Sequence, residues 1–151
     1  GPTHRSAVRM ETGQMLLHAS CVAHQGRGVL IQGASGSGKS GLALQLMAYG
    51  AMLVSDDRTE VIVRDGWPVA RPPDALAGLI EARGVGILRA DWAPARLVLA
   101  VDLDLAETER LPPDRWTTIL GQRMPLLHKA ESLHFAASIL QYLKGAKAAV
   151  E

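Results

Sequence analysis

Cysteine is nearly absent: Cys21 is the single one in 151 residues. That excludes an intramolecular disulfide and a cysteine metal cluster, and it fits a reducing, cytoplasmic setting. Aromatic side chains are scarce as well, with three Trp, two Tyr and one Phe, so the core has to be aliphatic. A net charge of +1 gives no general electrostatic case for nucleic acid or an anionic membrane as a partner. No apolar run approaches the roughly 20 residues that span a bilayer. The opening Gly1-Pro2-Thr3-His4-Arg5 lacks the basic-then-apolar order of a secretion signal, and its Gly-Pro reads as a cloning scar. What remains is an ordinary globular composition, of a length that suits one domain. The expected division is a loose polar segment over 1–13, one folded unit over 14–144 and a frayed tail over 145–151.

The most informative stretch is Gly33-Ala34-Ser35-Gly36-Ser37-Gly38-Lys39-Ser40. Gly, four residues, then Gly-Lys-Ser is the pattern of a phosphate-binding loop. Backbone N–H groups turn inward around a phosphate chain, the lysine reaches the terminal phosphates, and the hydroxyl takes Mg²⁺. Its flanks agree. Gly28-Val29-Leu30-Ile31-Gln32 suits a buried strand, and Leu42, Leu46 and Met47 recur at helical spacing behind it, giving strand, loop and helix in the required order.

The rest of the chain supplies candidates for chemistry around that loop. Met15 to Val22 reads as a strand that turns at Gln25-Gly26-Arg27-Gly28 into the loop's own strand, which would make a hairpin and set His18 beside the phosphate site. Taken alone, His18 is a hydrogen-bonded histidine of a half-buried strand. The helix should stop at Gly50, and Ala51 to Ser55 begins another strand ending in Asp56-Asp57. Ligands of open α/β sheets lie beyond the carboxyl ends of strands, so one carboxylate is placed to hold Mg²⁺ through water and the other to take a proton from an attacking hydroxyl. Thr59–Arg64 and Trp67–Arg71 flank Asp65-Gly66, a strong hairpin signal that reads as a β-rich insertion. Further on, Glu81 and Arg83 stand among apolar residues and glycines. A second metal ligand and a phosphate contact would explain them, as would a structural ion pair. Leu97–Val101 is a strand, with Asp102 and Asp104 expected to lead a surface loop. A terminal amphipathic helix is expected from Glu131 to Leu143.

Together the His18 strand, the Gly33–Ser40 loop, Val54-Ser55-Asp56-Asp57 and Glu81-Ala82-Arg83-Gly84-Val85-Gly86-Ile87 resemble the C-terminal catalytic domain of the bacterial HPr kinase/phosphorylase family, over about Met15 to Leu143. The last segment looks like that family's Glu-x-Arg-Gly-x-Gly signature. The resemblance implies an α/β P-loop kinase domain with a mixed sheet, similar to phosphoenolpyruvate carboxykinase, assembled as a hexamer and lacking an N-terminal domain. It implies ATP and Mg²⁺ as cofactors, a serine of the small phosphocarrier HPr as acceptor, and reversal by phosphorolysis. Carried over residue by residue, it makes Asp57 the catalytic carboxylate, Lys39 the phosphate lysine and His18 the active-site histidine, with Ser40 and Glu81 as Mg²⁺ ligands. Asp56 remains a candidate metal ligand and Arg83 a phosphate contact. Two positions depart from the family pattern: Gly41 stands where an acidic residue is frequent, and no arginine follows Arg123 in the C-terminal segment. The alternatives are a small-molecule P-loop kinase and an ATP-binding regulatory module without transfer activity.

Overall fold

The structure, a computed structural model, describes residues 7–11 and 13–148, with side chains from Gly13 onward. In chain order its elements are β1 (Ala7–Glu11), β2 (Gln14–Leu17), β3 (Ala19–His24), β4 (Arg27–Gln32), α1 (Lys39–Ala48) and β5 (Met52–Ser55). There follow β6 (Thr59–Arg64), β7 (Trp67–Arg71), β8 (Leu79–Ala82), β9 (Gly86–Arg89), β10 (Ala95–Ala106), β11 (Trp116–Ile119), β12 (Gln122–Lys129) and α2 (Phe135–Gly145). Ten strands form one mixed sheet in the order β1-β2-β6-β7-β10-β4-β3-β5, with β12 branching from β10 and carrying β11; β8 and β9 form a separate ribbon.

Alternation within the apolar runs explains why the sheet is buried on both faces. Val29 and Ile31 of β4, Val22 of β3 and Leu53 of β5 pack with Leu42 and Leu46 of α1 and Ile139, Leu140 and Leu143 of α2. The intervening Leu30, Cys21, Ala23 and Val54 join Leu17, Val61, Ala70, Ile119 and Met124 on the other face. A strand covered on both sides reads as a continuous apolar run. Burial pushes the Cys21 thiol above its ordinary value, so this cysteine is an inert filler of the core.

Several expectations hold. The β3–β4 hairpin turns at Gln25-Gly26 and β6–β7 at Asp65-Gly66, each with positive φ at both turn positions, the geometry that matches strand twist. Gly50, at φ 108, closes α1 through its N–H to the Met47 carbonyl.

Others are corrected. The run from Met15 to Val22 is two strands, broken by a bend at His18, because β2 pairs with β6 while β3 pairs with β4 and β5. Part of the segment expected to be loose forms β1, antiparallel to β2; residues 1–6 and 12 lie outside the described residues. The Asp65-Gly66 hairpin is no insertion, since β7 pairs with β10 and β6 with β2 inside the main sheet. Asp102 and Asp104 belong to the long strand β10, with Asp102 buried. The terminal helix starts at Phe135, because the Ser132 hydroxyl and carbonyl hold a turn ahead of it through the His134 and Phe135 N–H groups. In the expected tail, Lys147 bonds to Asp114 at 2.8 Å, and residues 149–151 lie outside the described residues.

Topology places the site. Strands β4, β5, β10 and β12 run in one direction. Their carboxyl ends therefore share an edge, where α/β sheets hold their ligands.

Candidate active site

At that edge β4 ends and the Gly33–Ser40 loop leads into α1. Gly33 has to be glycine for reasons of space, since a Cβ there would meet the Ser37 Oγ at 2.5 Å and the Leu103 Cβ at 3.2 Å. Gly36 and Gly38 have φ of 82° and 101°, a region glycine enters at little steric cost. The neighbouring strand fixes the start of the loop, because the Ala34 N–H donates to the Asp104 carboxylate of β10 at 3.0 Å. Lys39 is buried, and its ammonium donates to the carbonyls of Gly33 at 3.0 Å and Ala34 at 3.2 Å. Two of its three N–H donors are thereby used inside the loop.

The tandem carboxylates after β5 divide sharply. Asp56 is buried; its Oδ1 accepts from the hydroxyls of Ser40 and Ser20, both at 2.7 Å, and its Oδ2 accepts from the Glu81 N–H at 3.0 Å. Asp57 turns outward with φ 64, its side chain 53% exposed, and its Oδ1 lies 2.6 Å from the His18 Nε2. Its own N–H donates to the Ser20 hydroxyl at 3.1 Å. One serine, wholly buried, thus holds the Asp56 carboxylate and the Asp57 backbone in place. The arrangement is possible because the bend before β3 puts His18 at the same edge as the end of β5.

A cavity of about 500 Å³ opens over these groups, lined by Ser35, Gly36, Gly38, Lys39, Ser40, Asp56, Asp57, Glu81 and Arg83 among others. Glu81 and Arg83 are exposed. They owe their apolar surroundings in sequence to alternation in the ribbon, where Ile80 and Ala82 point into the core and Glu81 away from it. His18 reaches the cavity through Asp57. Gly33 and Ala34 hold the lysine, and Ser37 faces a second cavity on the far side of the loop. Sequence reasoning missed Ser20 and Asp104. The signal for Ser20 was a lone hydroxyl inside an apolar run two residues beyond His18; for Asp104 it was a carboxylate at the end of a buried strand.

Three carboxylates and two cations line the cavity, a donor set of hard oxygens that suits Mg²⁺. Among the described residues no three or more His, Cys, Asp or Glu side chains form a ready metal cluster. An ion bound through Ser40 and Asp56 would therefore draw its other ligands from water and a ligand's phosphates, the usual habit of Mg²⁺.

Comparison with known proteins points the same way. The HPr kinase/phosphorylase of Lactococcus lactis subsp. lactis (strain IL1403) is 52% identical over 64 residues, 42% of this chain and 21% of that protein. That of Enterococcus faecalis (strain ATCC 700802 / V583) is 48% identical over 73 residues, 48% of this chain and 24% of that protein. The chain thus spans less than a quarter of the length of these relatives. The structure of the Hpr(Ser) kinase/phosphatase from Coxiella burnetii superposes with a TM-score of 0.71 at 23% identity, covering 85% of this chain and 88% of that one. The fold is shared well beyond the part that aligns by sequence, including much of the region after residue 92. The model of the HPr Serine kinase C-terminal domain matches residues 11–92, and with more than half of its length matched, the chain belongs to that family.

Proposed function

We propose that this chain is the catalytic part of an ATP-dependent protein serine kinase acting on an HPr-like phosphocarrier protein. The observation that carries the reading is the division of labour between adjacent carboxylates. Asp56 is buried against the loop serine, where a metal-holding group belongs, and Asp57 is exposed and paired with a histidine, where a proton acceptor for an incoming hydroxyl belongs. Phosphoryl transfer needs alignment and charge neutralisation more than covalent chemistry. Lys39 and the loop N–H groups hold the triphosphate. Ser40 and Asp56 would hold Mg²⁺, with Glu81 on the cavity wall placed to reach it through water, and the bound ion would supply neutralisation of the developing charge. Arg83, on the exposed rim, is placed to contact phosphate.

As the serine Oγ bonds to the γ-phosphorus, the bond to the β-phosphate oxygen breaks, ADP leaves, and Asp57 takes the serine proton. His18, 2.6 Å away, keeps the Asp57 carboxylate aimed. Phosphorolysis uses the same parts in reverse. Inorganic phosphate attacks the phosphoserine phosphorus, Asp57 returns the proton to the leaving serine oxygen, and pyrophosphate forms. The openness of the Asp57 side chain favours an acceptor on a protein surface over a small molecule sealed under a lid. A cytoplasmic, hexameric enzyme is the setting the family resemblance suggests. Incubating the chain with labelled ATP, Mg²⁺ and purified HPr, with the product read by mass, should give one phosphoryl group on an HPr serine; hydrolysis of ATP without transfer would reject the kinase reading.

A further inference from the structure

Two backbone carbonyls hold the Lys39 ammonium, and they are supported differently. The Ala34 carbonyl is fixed inside the loop, where it also accepts from the Ser37 N–H at 3.0 Å. The Gly33 carbonyl belongs to the peptide whose N–H is that of Ala34, and that N–H donates to the Asp104 carboxylate. A trans peptide is flat, so its N–H and C=O point in opposite directions. Fixing the N–H on the β10 side therefore aims the carbonyl at the lysine. Glycine lets the peptide that follows it rotate at little steric cost, and the contact with Asp104 is what gives this one a single orientation.

Asp104 is itself placed by the sheet. Its N–H donates to the Asp102 Oδ1 at 2.9 Å. Asp102 is buried and stands opposite Gln32, the last residue before the loop, in the parallel pairing of β10 with β4. The Asp104 side chain does not line the reaction cavity. A carboxylate so near an anion site opposes anion binding by its charge, so attraction for a ligand does not account for it. Its strength as an acceptor does, because hydrogen bonds to a carboxylate are roughly twice as strong as neutral ones.

We propose that Asp104 is a positioning residue: through the Gly33–Ala34 peptide it sets where the Lys39 ammonium is held, and with it the grip on the terminal phosphates. This rests on the phosphate-loop reading above.

Calorimetry with ATP and with inorganic tripolyphosphate, each with Mg²⁺, tests this on the wild type, Asp104→Ala and Asp104→Asn. Alanine removes the acceptor, and asparagine keeps an acceptor oxygen while removing the charge. Asp104→Ala should bind both ligands about tenfold more weakly. Asp104→Asn should restore binding to within about threefold of wild type or exceed it, since the repulsive charge is gone. The side chain is exposed, so both variants should melt within about 4 °C of wild type. Wild-type affinity in Asp104→Ala, or an equal loss in the two variants, overturns the proposal and leaves the phosphate loop standing. So does a loss in Asp104→Ala for ATP alone, which would put the effect on the nucleoside, or a loss that comes with a larger fall in melting temperature, which would make the role structural. Binding of neither ligand by the wild type overturns the phosphate-loop reading and this one with it.

Discussion

Asp57 and Asp65 have nearly the same unusual backbone, φ 64 and φ 53, for different reasons. Asp65 sits in a two-residue hairpin loop between the paired Arg64 and Trp67 and is followed by Gly66; local turn chemistry accounts for it. Asp57 has Arg58 behind it and no glycine. Its positive φ is held by a tight turn in which the Arg58 N–H donates to the Asp56 carbonyl at 2.7 Å, and from a distance by the Ser20 hydroxyl on its N–H and by His18 on its carboxylate. A strained residue over-determined by remote contacts, at the mouth of a cavity, is the kind found where chemistry is done. The same angle serves a hairpin turn in one place and, in the other, a turn whose carboxylate is aimed by distant residues.

Breaking the remote support should have the largest effect on stability. Ser20→Ala removes a donor to the buried Asp56 and the acceptor for the Asp57 N–H. It should destabilise the fold by about 2–3 kcal/mol, read as a lower denaturant midpoint, and slow transfer as well; an unchanged midpoint would mean the two aspartates are held by something else. His18→Ala acts on one exposed pair, so its stability cost should stay within about 1 kcal/mol. The turnover number should nevertheless fall by about 10–100-fold with the KM for ATP unchanged, because only the aim of Asp57 is lost. A rise in that KM alone would reassign His18 to nucleotide binding. The smallest stability effects belong to glycine at the two aspartates themselves. Asp57→Gly and Asp65→Gly should each shift stability by no more than about 1 kcal/mol, yet transfer should vanish in the first and persist in the second. Equal activities would erase the distinction.

What was legible in the sequence follows from the same contrast. The phosphate loop, the Gln25-Gly26 and Asp65-Gly66 turns and the α1 stop at Gly50 are local chemistry, and each appears where its residues put it. The bend at His18, the inclusion of the β6–β7 hairpin in the main sheet and the burial of Asp102 depend on which strands pair, and periodicity along one strand carries no record of its partners. The site divides likewise. Lys39, Ser40, Asp56 and Asp57 could be named from motif and strand end, whereas Ser20 and Asp104 act through contacts 36 and 70 positions away. Glu81 and Arg83 were found by their odd company, although their exposure is the reverse of what that company suggested.

The central claim is that the Asp57 carboxylate takes the acceptor's proton while other groups hold the nucleotide. Single-turnover transfer from ATP to HPr, measured for the wild type and for Asp57→Asn alongside ATP affinity, tests it most directly. The account predicts an ATP affinity within about threefold of wild type and a transfer rate lower by about 10²–10⁴-fold, in the forward and phosphorolytic directions alike. Transfer at the wild-type rate by Asp57→Asn would contradict it.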